Sequence, residues 1–282
     1  MISFDSAQRY FSHAYMLRET IPDFHAEVER WESLGQTLEE DLVDYKWSSE
    51  TLRYGEHPRQ DLQLYRAQAG ATGKGLAVFI HGGFWRMMAR AQSHFMARPY
   101  LEAGWDCAVL EYRLMPEFRL SELVDDTAAA LHLLHSLDNW PKRMLSGHSA
   151  GAHLAWHGGL AARAAGASGT QDSLLLISPV FDIFAVQSTP IITELDMPMD
   201  EAAKWSCYHG FANADQAVQL AVGEDETEDF KRQAYMGSQM MGRGEQQNIA
   251  LLGGCNHLSV VTQIATEQAV FDALHRPLGF YD

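Results

Sequence analysis

Read as a pattern of apolar and polar positions, the 282-residue chain divides into a helical arm, an alternating series of strands and helices, and one aromatic, proline-broken insertion. From Ser6 to Asp44 apolar residues (Phe11, Tyr15, Val28, Trp31, Leu34, Leu38) recur at three- and four-residue steps, a helical period. Ile21-Pro22-Asp23 interrupts it, with Pro22 placed to open a second helix. Trp47–Tyr54 and Asp61–Ala67 alternate and read as two strands. Leu76–Ile80 is five consecutive apolar residues, the pattern of a strand buried on both faces of a parallel sheet. A helix near Ser93–Ala103, a strand Cys107–Tyr112, a helix Leu120–Leu137, a brief strand at Met144-Leu145, a helix Ala152–Leu160 and a strand Leu174–Ser178 follow. The rhythm lapses over 179–213, where Phe181, Phe184, Pro190, Pro198, Trp205, Tyr208 and Phe211 predict a small helical lid. It resumes with a strand Gln219–Val222, a helix Thr227–Met236, a strand Asn248–Leu252 and a closing helix Leu258–His275. This order predicts an α/β fold: a doubly wound, mostly parallel sheet with helices on both faces. Residues 1–282 read as a single domain, with 1–45 as the N-terminal arm and 179–213 as the lid-like insertion.

Composition narrows the function classes. A net charge of −16 argues against a nucleic-acid surface, which needs clustered Lys and Arg. No window approaches the ~18 uninterrupted apolar residues of a membrane span. The N-terminus MISFDSAQRY lacks the basic-then-apolar pattern of a signal peptide. Cys107, Cys207 and Cys255 are too few and too scattered for a disulfide framework or a zinc site, and read as buried thiols. A cytoplasmic setting with no nucleic-acid or membrane partner is the expectation.

Three separated segments carry candidate chemistry. Gly147-His148-Ser149-Ala150-Gly151 is a G-x-S-x-G pentapeptide between a strand and a helix. A tight turn there strains the central residue, and glycines two before and two after remove colliding side chains. Ser149 would then stand at the carboxyl edge of the sheet, beside the next amide and a helix N-terminus. A serine nucleophile needs a base and an acid, in the chain order serine, acid, histidine. Glu224-Asp225-Glu226 follows one later strand, and Gly253-Gly254-Cys255-Asn256-His257 follows the last. His81-Gly82-Gly83, after the buried strand, is small enough for its amides to approach a substrate oxygen. His153 and His157 lie four apart on the helix after Ser149, a metal-binding spacing without an evident third ligand, so no metal site is assigned.

With these segments in place, the chain resembles the α/β-hydrolase superfamily, and within it the kynurenine formamidase (arylformamidase) branch and its bacterial esterase relatives. The resemblance rests on HGGFW at His81–Trp85, YGEHPRQDLQLYRA at Tyr54–Ala67, YRLMPE at Tyr112–Glu117, GHSAGAHLA around Ser149, GEDETEDFKRQ and NHLSVV. It also takes in IPDFHAEVERW in the arm, and so spans nearly the whole chain. It implies Ser149 as nucleophile, His257 as general base and then acid, and oxyanion donors at the amides of Ala150, Gly83 and Phe84. The family's acid lies four residues before a phenylalanine; Phe230 therefore points to Glu226, with Asp225 as the other candidate. The implied substrate is a small aryl formamide such as N-formylkynurenine or, alternatively, a short-chain or aryl ester. A hydrolase fold recruited as a non-catalytic binder is the distant alternative, and would predict loss of the serine or histidine. No cofactor is implied, and a homodimer is compatible with the reading. Trp85 and the lid aromatics could line an aryl slot or be plain core.

Overall fold

In a computed structural model, which describes residues 4–68, 70–166, 172–207, 216–241 and 248–281, eight strands form one sheet in the order β1-β2-β4-β3-β5-β6-β7-β8. The strands are β1 (Ser48–Arg53), β2 (Asp61–Arg66), β3 (Leu76–Ile80), β4 (Asp106–Leu110), β5 (Arg143–His148), β6 (Asp172–Ile177), β7 (Val218–Gly223) and β8 (Ile249–Leu252). β1 and β2 pair antiparallel, as do β2 and β4. Every other neighbour is parallel, giving the expected doubly wound α/β sheet.

The apolar run of β3 works in two directions. Leu76, Val78 and Ile80 enter one core, whereas Ala77 and Phe79 enter the other. This is the period-two consequence of a strand covered on both faces. The first core is closed by α5 (Leu120–Leu137), α6 (Ala150–Ala164) and α10 (Glu228–Met241). The second is closed by α3 (Phe24–Asp44), α4 (Ala97–Glu102), α11 (Ser259–Thr266) and α12 (Gln268–His275).

The arm spans both layers. α1 (Phe4–Tyr15) delivers Ala14 and Tyr15 to the first core, and α3 delivers Trp31 and Leu38 to the second. Trp31 Nε1 donates to Thr262 Oγ1 on α11 at 2.9 Å. Between them runs the one-turn helix α2 (Leu17–Thr20). The break predicted at Ile21–Asp23 is therefore double, since Met16 also leaves helical geometry at ψ 69°. Pro22 lies in the turn before α3 rather than opening it.

The lid is three short helices, α7 (Ile183–Gln187), α8 (Ile191–Leu195) and α9 (Met199–Trp205). Tyr208 and Phe211, assigned to it from the sequence, lie outside the described residues. The predicted closing helix is two, because Glu267 is extended at φ −111°, ψ 100° while its carbonyl accepts the amides of Val270 and Phe271. Among the described residues no helix is long and apolar enough to cross a membrane.

Candidate active site

β5 runs directly into α6, and Ser149 at the junction takes φ 57°, ψ −121°. For a residue other than glycine this is strained backbone. The surroundings hold it there: Ser149 donates its amide to the Ile177 carbonyl at 2.9 Å, and its own carbonyl accepts from Ala152 at 3.0 Å. The flanking glycines are compulsory. A Cβ on Gly147 would lie 2.3 Å from the Gly151 carbonyl oxygen, and one on Gly151 would lie 2.1 Å from that of Ile80. Gly82 brings the loop after β3 against the same turn, since a Cβ there would stand 3.1 Å from Ser149 Cβ.

That loop is equally constrained. Gly83, Phe84, Trp85 and Met88 all have positive φ, at 104°, 50°, 58° and 71°. Three residues brace it from below: Tyr112 Oη donates to the His81 carbonyl at 3.0 Å, Arg59 donates to the carbonyls of Met88 (2.6 Å) and Tyr112 (2.9 Å), and Glu111 pairs with both Arg59 and His81. Burial alone would raise the Glu111 carboxyl. The hydrogen bond to His81, the Arg90 amide and the Arg59 guanidinium outweigh it, holding the group below the usual carboxylate range. Among the described residues nothing accepts from the amides of Gly83, Phe84 or Ala150, three donors beside Ser149.

Of the two acidic candidates, Glu226 is buried and Asp225 is exposed. Glu226 Oε2 accepts from His257 Nδ1 at 2.6 Å, and its Oε1 accepts from the Gly223 amide at 2.7 Å and from the Ser178 hydroxyl. These contacts orient the imidazole with its proton on Nδ1. His257 Nε2 is buried without a hydrogen-bond partner, and the Phe230 ring lies 4.0 Å from the imidazole. Ser149 and His257 face one cavity, although no hydrogen bond joins them among the described residues. Apo sites often close that bond only around substrate. His148 fixes the histidine loop from behind, donating from Nε2 to the His257 carbonyl at 2.9 Å. Burial, then the neighbouring His257, pushes its imidazole well below the ordinary value. Glu111 and Ser178 carry no motif, and His148 occupies only a free position of G-x-S-x-G; the remaining sequence signal of all three is a polar residue at the end of a buried strand.

The cavity holds about 450 Å³, and its walls correct one expectation. Trp85 does not line it: the ring is wholly buried against His153 at 5.2 Å, because positive φ at Phe84 and Trp85 turns the chain inward. Among the described residues the lid aromatics Phe181, Phe184 and Trp205 are absent from it as well, and the lid contributes Ile191 and Glu194. The aromatic walls are Phe84 and, from the arm, Tyr15 and Phe24. Tyr15 is pinned by hydrogen bonds with Asp229 and Gln233 on α10 and stands edge-on to Phe84 and Phe230. An ion pair of 2.6 Å between Arg86 and Glu194 ties the loop after β3 to α8.

All three cysteines are free and buried, as their apolar settings predict. Cys207, however, closes on His153 and His157, supplying the third donor side chain that the sequence leaves unseen.

A parallel sheet feeding a strained serine into a helix, with acid and histidine loops on later strands, defines the class. Residues 77–236 match the family described by the alpha/beta hydrolase fold, and the chain belongs to that family. Within it, the chain is similar to the kynurenine formamidase of Danio rerio, 21% identical over 273 residues covering 92% of this chain and 87% of the relative. The kynurenine formamidase of Drosophila melanogaster is 33% identical over 106 residues, 36% of this chain and 35% of that one. Among solved structures, a Silicibacter protein provisionally named a thioesterase superposes with a TM-score of 0.76 at 25% identity, covering 91% of this chain and 97% of that one. The hyperthermophilic esterase of Pyrobaculum calidifontis shares the fold, with a TM-score of 0.66 at 17% identity and 94% of each chain covered. The fold and the relatives are those of hydrolases.

Proposed function

We propose that the chain is a serine hydrolase that cleaves a small aryl formamide of the N-formylkynurenine type. The observation that carries this is the Glu226–His257 pair with an unpartnered Nε2, facing a serine in strained backbone across an apolar, aromatic-walled cavity. Ser149 Oγ attacks the formyl carbon while His257 Nε2 takes its proton. Glu226 keeps the other ring proton in place and stabilises the imidazolium. The amides of Ala150, Gly83 and Phe84 receive the developing oxyanion, each worth ~3 kcal/mol in the transition state. His257 then protonates the departing arylamine. A water activated by the same imidazole releases formate and restores the serine.

The kynurenine formamidase of Danio rerio, aligned over most of this chain, favours the formamide. The esterase likeness of the fold supports a second reading, the same chemistry on a short-chain or aryl ester. An assay of N-formyl-L-kynurenine beside a p-nitrophenyl ester series separates them. The expected result is a kcat/KM on the formamide at least about tenfold above any ester, falling by roughly 10⁴ or more in Ser149→Ala. Turnover of several esters with none of the formamide transfers the assignment to the second reading. Activity surviving intact in Ser149→Ala removes the mechanism.

A further inference from the structure

Behind the candidate active site, α6 carries His153 and His157 one turn apart on the same face. Both point at the end of α9. His153 Nε2 lies 2.8 Å, and His157 Nε2 3.1 Å, from the carbonyl oxygen of Trp205. Cys207, two residues on, brings Sγ to 3.2 Å from His157 Nε2 and 3.9 Å from the same carbonyl. One donor atom from each of the three side chains lies within 4.8 Å of the others. His153 and Cys207 are buried, with exposures of 0% and 1%, and His157 is half-buried, leaving a path from solvent.

The two imidazole contacts alone are ordinary hydrogen bonds to a helix-terminal carbonyl, which do not require the Cys207 sulfur 3.2 Å from His157 Nε2. In a tetrahedral zinc shell, with Zn–N near 2.0 Å and Zn–S near 2.3 Å, neighbouring nitrogens stand about 3.3 Å apart and nitrogen and sulfur about 3.6 Å. Four of the six separations run from 2.8 to 3.9 Å, and His153 lies within 4.8 Å of the other two side-chain donors, with the atoms on different elements: two nitrogens from α6, a sulfur and an oxygen from the end of the lid. Two imidazoles with a thiolate select zinc over magnesium or calcium, which take oxygen ligands.

We propose that His153, His157 and Cys207, with the Trp205 carbonyl, form a structural Zn²⁺ site that clamps the lid to the helix carrying Ser149 at its start. Four protein donors leave no open position, so the ion takes no part in hydrolysis. On binding, the Cys207 thiol gives its proton to the buffer and the sulfur becomes the anionic ligand. His153 Nδ1 has no acceptor among the described residues, so the ring lacks the outer hydrogen bond that usually tightens a zinc site. The ion is therefore expected to exchange with strong chelators rather than survive them.

The test is Zn²⁺ titration of the chelator-stripped full chain by calorimetry in two buffers of different ionisation enthalpy, repeated on Cys207→Ser and His157→Gln. One Zn²⁺ per chain should bind with release of about one proton and raise Tm. Each variant, shown to be folded by circular dichroism, should weaken binding more than the roughly 10–100-fold lost when a residue that merely orients a ligand is removed. Co²⁺ in place of Zn²⁺ should give a near-ultraviolet thiolate charge-transfer band that vanishes in Cys207→Ser. Absence of stoichiometric binding overturns the proposal, as does uptake equal in the wild type and both variants, which would place the ion on other histidines. None of these readouts depends on enzymatic activity, so the result stands apart from the proposed hydrolysis.

Discussion

Asp225 and Glu226 are neighbours in the chain with different surroundings, and the difference decides which can orient His257. Asp225 is exposed, its amide spent on the Cys255 carbonyl. Glu226 turns inward to three donors: His257, the Gly223 amide and Ser178. Glu226→Gln leaves the shape but offers an amide where His257 needs an acceptor, so the imidazole loses its tautomer. The expected loss in kcat is roughly 10³–10⁴, the scale seen for the corresponding change in serine proteases, whereas Asp225→Asn should stay within about twofold. Steady-state kinetics on the best substrate checks both, and the reverse order would move the acid role to Asp225. Phe230 made Glu226 readable from the sequence through the spacing it shares with the formamidases. Ser178 could not be read, because a buried serine closing an apolar strand looks the same whether it holds a carboxylate or merely ends the sheet.

At the scale of elements, legibility follows how much of a segment's pattern is its own. β3 is apolar throughout and its bounds in the sequence match the observed ones, whereas β4, read as Cys107–Tyr112, spans Asp106–Leu110, because Glu111 and Tyr112 stay buried past the point where the pairing ends. β5 extends well beyond the Met144-Leu145 seen in the sequence, because Ser146, Gly147 and His148 continue it as buried residues of polar or neutral type. The lid's helices were legible as an interruption, but which aromatics face the cavity depends on the positive φ values at Phe84 and Trp85, which no periodicity encodes. The arm shows the same limit. Its helical period was visible, yet its passage over the cavity between α1 and α3 follows from burying Tyr15 in one core and Trp31 in the other. This passage places Phe24 on the cavity wall. Phe24→Ala should therefore raise KM for aryl substrates by roughly tenfold, as expected for removing apolar contact, while kcat/KM on a small alkyl ester changes little. Equal losses on both would mean that the arm packs without touching the substrate.

Across the whole molecule, burying both faces of the sheet encloses histidines that must remain neutral for the fold to persist. His275 is fully buried, its Nδ1 donating to the Phe271 carbonyl at 2.6 Å and its Nε2 3.0 Å from Tyr100 Oη. Burial pushes its imidazole from 6.5 down to about 4. His148 is pushed down in the same direction, by burial and then by His257. The unfolded chain protonates His275 near pH 6.5, whereas the folded chain resists until about pH 4. Between those limits the unfolded state binds more protons, so stability rises with pH. The contribution of His275, something on the order of 3 kcal/mol, is complete above about pH 6.5 and is lost as the pH falls toward 4, and His148 adds to it in the same direction. Urea unfolding in chelator-containing buffer at intervals from pH 7.5 to about 4 should show that decline. His275→Asn cannot titrate there, so it should start less stable at pH 7.5 and fall less steeply, by up to one proton's worth of slope. Parallel curves for the two proteins would mean that His275 takes up its proton without unfolding the sheet, and that the acid sensitivity lies with the other histidines that burial pushes down, His148, His153 and His157.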